Sequence, residues 1–263
     1  MIRNKIYRFR RLLKHIVYLR KNFSNWDSII KRAINGKTTR ILNLRSGISF
    51  HNSDNNTLSI FREIFIKEVY TKNLVAIDEN DIVFDIGANV GVFSLYASRV
   101  KGVKVYGFEP HPKNFEKFTN NVKVNNIDNI DCFNNALGLE NEDRVMIEGN
   151  IPGGHKVSKR DSKEEFSKEM LTVQSITLDS FLKKMNISQI DFLKLDCEGA
   201  EGEIITSLGV EGLKKIKKVA IEFHDNHSIL NHEEIINYLK KAGFETNLSW
   251  DGSSNFGYVY GKL

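Results

Sequence analysis

From residue 80 onward, short apolar runs alternate with amphipathic stretches of helical period, and few architectures satisfy that pattern. A strand that is apolar at nearly every position must be covered on both faces, which calls for a parallel sheet with helices crossing over it. Candidate strands lie at 82–86, 103–108, 130–136, 190–195 and 218–223, with two closing strands near 244–249 and 257–260. The pattern predicts an α/β fold: a doubly wound, seven-stranded sheet, mostly parallel with one antiparallel strand. Between the third and fourth strands falls an insertion, residues 138–176, whose alternating segments at 144–148 and 172–176 read as a hairpin around a polar loop containing Gly153 and Gly154. Ahead of the sheet, residues 1–75 read as an accessory region. It comprises a basic helix, a helix at 26–34 stopped by Asn35-Gly36, a small hairpin at 39–51, and a helix from Asn56 or Thr57 to about Tyr70. Residues 76–263 form the main domain.

Composition narrows the class further. Two cysteines in 263 residues, Cys132 and Cys197, exclude a disulfide-stapled module, and 41% hydrophobic residues with 17 Phe exclude a disordered chain. No apolar run approaches the roughly 20 residues that cross a bilayer, so a cytoplasmic protein is expected. The net charge of +5 is unevenly spread: residues 1–40 carry twelve Lys or Arg and one acid, Asp27, for +11, which leaves −6 on the rest. Ile2, Ile6, Phe9, Leu13 and Ile16 form one apolar stripe on a helix flanked by those charges. Three readings stand for this arm: docking on the domain, peripheral contact of residues 1–24 with an anionic membrane surface, or contact with nucleic acid.

The strongest local signal is the run at 83–94, where an apolar strand ends in Asp85 and crosses a loop through Gly87, Asn89 and Gly91 before a helix starts. In open α/β sheets ligands bind outside the carboxyl ends of the strands, where this turn lies. The loop reads G-x-N-x-G, which is neither the dinucleotide fingerprint nor a phosphate loop. Asp85 would repel a pyrophosphate but suits a cationic amino group. The second strand ends at Glu109, placed to accept from a ribose diol. The third ends near Asn135 and Ala136, where an adenine ring would meet a side-chain amide. A nucleoside with an amino-acid tail, S-adenosylmethionine, fits all three.

Together with Phe108-Glu109-Pro110, Ala136-Leu137-Gly138, Thr177-Leu178-Asp179 and the stretch from Lys194 to Glu201 (K-L-D-C-E-G-A-E), these residues resemble the FkbM-type S-adenosylmethionine-dependent methyltransferases. The resemblance runs from about residue 40 to 225. It implies a class I, Rossmann-like fold and methyl transfer from S-adenosylmethionine to a hydroxyl, often on a sugar or polyketide.

At the fourth strand end, Asp196 is expected to orient the cofactor amine or the acceptor hydroxyl, with Glu198 assisting and Lys194 pairing a carboxylate. Glu201 reads as decoration of the next helix's first turn. On the fifth strand His224 shares parity with Glu222, and a histidine at the crevice is the expected base for taking an alcohol proton. The primary expectation involves no metal; as an alternative, Asp196, Asp225 and Asn226 would offer oxygen ligands to a divalent cation such as Mg²⁺. A zinc pair of His224 and His227 is a weaker alternative still. The function expected is O-methylation of a small-molecule, glycan or glycolipid hydroxyl. Alternatives are an RNA methyltransferase, against which stands the lack of an Asn-Pro-Pro-Tyr motif, and a cofactor-binding module acting through its basic arm.

Overall fold

The computed structural model describes residues 15–51, 57–147, 156–158 and 170–263. Of the basic arm's stripe only Ile16 falls among them; Ile2, Ile6, Phe9 and Leu13 lie outside, as do Gly153 and Gly154. Residues 15–22 are helical and bury Leu19, and α1 follows at Trp26–Ile34. Strands β1 (Ile41–Asn43) and β2 (Ser49–His51) pair as the expected hairpin. The next helix is shorter than its apolar stripe suggests: α2 spans Thr57–Phe61 and passes into a π-helical turn, Arg62–Ile66. Tyr70 therefore lies beyond the helix. The wider turn matters because π-helical geometry redirects the chain, a feature common near functional sites.

The central sheet is built from β3 (Ile82–Ile86), β4 (Lys104–Phe108) and β5 (Ile130–Phe133), and later in the chain from four more strands. Helices α3 (Val92–Ala97) and α4 (Pro112–Val124) are the first crossovers. Pro112 stands at the first turn of α4, and the His111 ring accepts from the Asn114 N–H, so the helix starts where its sequence dictates. The third strand stops short of the expected residue 136. Asn134 donates to the carbonyls of Glu109 and Pro110, turning the chain out of the sheet, and β6 (Ala136–Leu137) pairs elsewhere.

That second sheet is the insertion. Strands β7 (Glu142–Ile147) and β9 (Met170–Ile176) make the expected antiparallel hairpin, and β8 (Lys156–Ser158) and β6 extend it to four strands in the order β6-β9-β7-β8. Thr177 of the T-L-D motif caps α5 (Leu178–Met185), accepting from the Ser180 N–H, while Leu178 is fully buried and Asp179 pairs with Lys183 and Lys215. The chain closes with β10 (Ile190–Leu195), α6 (Glu201–Leu213), β11 (Ile216–His224), α7 (His232–Lys241), β12 (Glu245–Ser249) and β13 (Phe256–Lys262). The sheet order is β12-β13-β11-β10-β3-β4-β5, with β13 antiparallel to both neighbours and every other pairing parallel. The expected α/β sheet, with one antiparallel strand, is the one found.

Strand periodicity divides the core. Val83 and Val105 face one side, where the accessory residues Leu19, Phe23, Leu42, Phe50 and Phe61 join them in a single apolar cluster. Phe84, Phe108 and Leu193 face the other, packed on Phe181 and Ile204. The hairpin is tied down by polar bonds as well: Asn121 of α4 and Asn125, which caps that helix's C-terminus, accept from the His51 and Ser49 N–H groups at 2.7 Å. This packing brings residues 57–70 over the carboxyl ends of β3 and β10.

Candidate active site

A cavity of about 340 Å³ opens at those carboxyl ends, within the size range of small-molecule sites. Gly87, Asn89, Glu109, Asn135, Ala136, Lys194, Asp196 and Glu198 all line it. Gly87 has a positive φ of 80°, and a Cβ there would run into the Asp196 carbonyl, so the loop is cut to fit closely against β10. Gly91 does not line the cavity; it is the left-handed start of α3, and its bare Cα lies against the Phe118 ring. Its role is turn and packing.

Glu109 ends β4 with one carboxylate oxygen accepting from the Asn89 N–H at 2.8 Å and the other from the His111 N–H at 2.9 Å. Burial pushes its carboxyl up to about 7 despite those bonds. Asp85 departs from expectation. It is fully buried beneath the loop, paired with Lys194 Nζ at 3.0 Å and accepting from the Ser94 hydroxyl at 2.7 Å, and it does not line the cavity. Its charge is paired within the chain, and it lies beneath the loop and not in the cavity wall. Lys194 also donates to the Gly87 carbonyl at 2.8 Å and lies 3.6 Å from Asp196. Burial opposes its charge, but Asp85 and Asp196 hold the ammonium well above its ordinary range.

The stretch after β10 is organised by Glu201. This carboxylate is fully buried and accepts from the Cys197 N–H at 2.8 Å and the Gly199 N–H at 3.0 Å, so it holds the loop rather than decorating a helix. Its Oε1 also lies 3.2 Å from His224 Nδ1, and His224 Nε2 is 3.6 Å from Glu198. Burial alone would lower the imidazole, but the Glu201 bond and the charges of Glu201, Asp196 and Glu198 outweigh it and push His224 up to about 10. Only the deprotonated ring could act as the expected base, and the acidic neighbours favour keeping its proton on. Glu198 stands differently: it lines the cavity in a left-handed conformation (φ 54°), and burial, then the Asp196 charge, push its carboxyl up to about 7.

The oxygen set expected for a cation does not assemble. Both Asp225 oxygens are taken by His232, its N–H at 2.8 Å and its ring Nδ1 at 2.6 Å, where they secure the start of α7. Asp196, Glu198 and His224 do approach one another within 4.8 Å. In the absence of a metal, His224 lies between the carboxylates of Glu198 and Glu201 as part of an ion-pair network.

One participant was not legible in spacing, and a second was legible only through strand parity. Tyr70, from the accessory segment, is buried and places its hydroxyl 2.8 Å from Asp196 and 2.6 Å from Glu222. Glu222 lines the cavity, and only its parity with His224 on β11 pointed there. Ile60, Glu63 and Ile64 from the α2 and π-helical segment and Met146 from the insertion complete the wall, and no motif marks any of them.

Comparison with known proteins accords with this geometry. AMB antimetabolite synthetase AmbE of Pseudomonas aeruginosa is 25% identical over 233 residues, which is 75% of this chain and 11% of that protein. The chain thus spans about a ninth of that relative's length. The 31-O-demethyl-FK506 methyltransferase FkbM of Streptomyces tacrolimicus is 26% identical over 211 residues, 70% of this chain and 80% of that protein. The crystal structure of methyltransferase FkbM from Methylobacillus flagellatus KT shares the fold at a TM-score of 0.51 and 16% identity, covering 72% of this chain and 45% of that one. A family model, the methyltransferase FkbM domain, matches residues 85–246, from the glycine loop past the fifth parallel strand. That span exceeds half of the sequence, and the chain belongs to the FkbM methyltransferase domain family.

Proposed function

We propose that the protein transfers a methyl group from S-adenosylmethionine to a hydroxyl of a sugar, glycolipid or other secondary metabolite. The observation that carries this reading is Glu198, a cavity-lining carboxyl raised to about 7, where a general base for work near neutral pH should lie. The relative named as a 31-O-demethyl-FK506 methyltransferase supports an oxygen acceptor. The residues fit the cofactor. Each Glu109 oxygen accepts a single backbone N–H, which leaves acceptor capacity for a ribose diol, and Asn135, Ala136 and Leu137 offer an amide and an apolar wall for the base. When bound, S-adenosylmethionine supplies a methyl group on a cationic sulfur. Asp196 holds the acceptor hydroxyl beside it, and Glu198 receives the hydroxyl proton as the new carbon–oxygen bond forms and the carbon–sulfur bond breaks. His224, held as an imidazolium by Glu201, flanks Glu198 and moderates the repulsion among the acids.

Calorimetric titration with S-adenosylmethionine tests the cofactor half of the proposal. Binding is expected to weaken as pH falls through about 7, because the ribose bonds require ionised Glu109. The limiting slope is about tenfold per pH unit. Glu109→Gln should weaken binding and flatten that slope; wild-type protein that shows no binding heat at any pH would end the reading. A cofactor-consumption screen against neutral sugars, uronic acids and glycolipids then tests the acceptor class.

A further inference from the structure

We propose that Tyr70, supplied by the accessory segment, is a positioning residue whose hydroxyl fixes the Asp196 side chain in the site by tying it to Glu222. The inference rests on the functional reading above for what Asp196 does, and on geometry and burial for how Tyr70 holds it.

The Tyr70 Oη lies 2.8 Å from Asp196 Oδ2 and 2.6 Å from Glu222 Oε2, yet a hydroxyl carries one proton and donates to one partner. If both carboxylates were ionised, one would face a phenol lone pair at hydrogen-bond distance. A second proton must therefore reside in the chain. Glu222 is the group to keep it: burial holds its carboxyl well above the usual carboxylate range, and the Asp196 charge adds to the effect. Asp196, by contrast, has Lys194 at 3.6 Å. The order is then fixed, with Glu222 donating to the Tyr70 oxygen and the Tyr70 hydroxyl donating to Asp196.

Lys194 on β10 and His224 on β11 favour ionised carboxylates, while Glu198 after β10 and Glu63 on the π-helical turn oppose them, and the Tyr258 phenol on β13 stays neutral in its burial. The two cations lie on the Asp196 and Glu198 side. Asp196 is 3.6 Å from Lys194, whereas the close partners of Glu222 are two phenols, Tyr70 at 2.6 Å and Tyr258.

The Tyr70 hydroxyl is not needed to hold its own ring. Phe93 and Tyr258 pack edge-on at 5.5 and 5.7 Å between centroids, and Lys194 Nζ lies 5.2 Å over the ring face. The preceding residue is anchored separately, since the Tyr260 hydroxyl donates to the Val69 carbonyl at 2.6 Å. A phenylalanine at position 70 would keep all of this packing and lose only the bridge.

Tyr70→Phe tests the proposal. Cofactor affinity by calorimetry is expected to stay within about threefold, while kcat falls by about ten- to a hundredfold with little change in acceptor KM, as for a displaced orienting group. The acid limb of the kcat profile should move as well. A readout independent of activity comes from infrared difference spectroscopy: wild-type protein at neutral pH should show the carbonyl band of a protonated carboxylic acid that Glu222→Gln removes and Tyr70→Phe shifts. A wild-type kcat and pH profile in the Phe variant would overturn the proposal. So would a wild-type protein without the Glu222 band, a result that stands even if the Phe variant does not fold. If wild-type protein binds cofactor but methylates no alcohol, the functional reading fails while the infrared comparison still decides the role of Tyr70.

Discussion

Glu198→Gln is expected to slow methyl transfer by about 10²- to 10⁴-fold while leaving cofactor binding within a fewfold of wild type, the signature of a lost general base. Gln keeps the size and the polar contacts of Glu but cannot take a proton. In wild-type protein the rate should rise with pH through about 7, as Glu198 loses its proton and becomes able to accept another. The sign follows from the role: a base works in its deprotonated form, so activity is lost on the acid side. Single-turnover rates across pH, measured with saturating cofactor, check both points. A Gln variant within tenfold of wild type would move the base to another group. His224→Gln makes the contrasting case, since an imidazolium pushed up to about 10 takes no proton at neutral pH. Its loss should lower the rate through Glu198, by removing a positive neighbour and raising that carboxyl further, so the acid limb shifts to higher pH.

The largest stability effect is expected at Lys194. Lys194→Met retains the aliphatic stem but strips the charge that faces Asp85, whose side chain is wholly buried. An uncompensated buried carboxylate costs about 3–5 kcal/mol, and the Ser94 hydroxyl that donates to the other oxygen cannot replace an ammonium. Urea denaturation should register that loss as a lower midpoint. The double variant Lys194→Met with Asp85→Asn should recover most of it, because a neutral amide needs no counter-charge and one partner bond to Ser94 persists. Recovery would show that the cost of the single change lies in an orphaned charge. Equal instability of both variants would place it in packing instead.

These two residues also mark how far the sequence carried the reading. Asp85 and Lys194 were recognised as chemistry-bearing from their places at strand ends, and both strands run at the predicted residues. Their pairing with each other was not legible, because residues 85 and 194 meet only when β10 lies beside β3 in the sheet. The same holds at His224. Strand parity put it on the crevice side with Glu222, but parity stops at the last residue of a strand, and Glu201 at the start of α6 draws the ring to itself. A buried carboxylate at hydrogen-bond distance favours the charged form of a ring expected to act as a base. Asn134 gives a milder case: an apolar pattern suggested that the third strand ran through to residue 136, but side-chain bonds to the Glu109 and Pro110 carbonyls take the chain into the second sheet.

What the sequence alone determined is the part governed by local periodicity and turn chemistry. The alternation of apolar strands with amphipathic helices dictated a doubly wound sheet, the glycine loop located the end at which the cavity opens, and Glu109 fell where β4 meets the next helix. Only the tertiary structure decided the protonation of the site, because that depends on burial and on charges brought together from distant segments. Tyr70 is the clearest instance: it reaches Asp196 across 126 positions and Glu222 across 152, and no spacing rule extends so far. A carboxylate's place on a strand follows from a period of two, whereas its charge state follows from everything that packs around it.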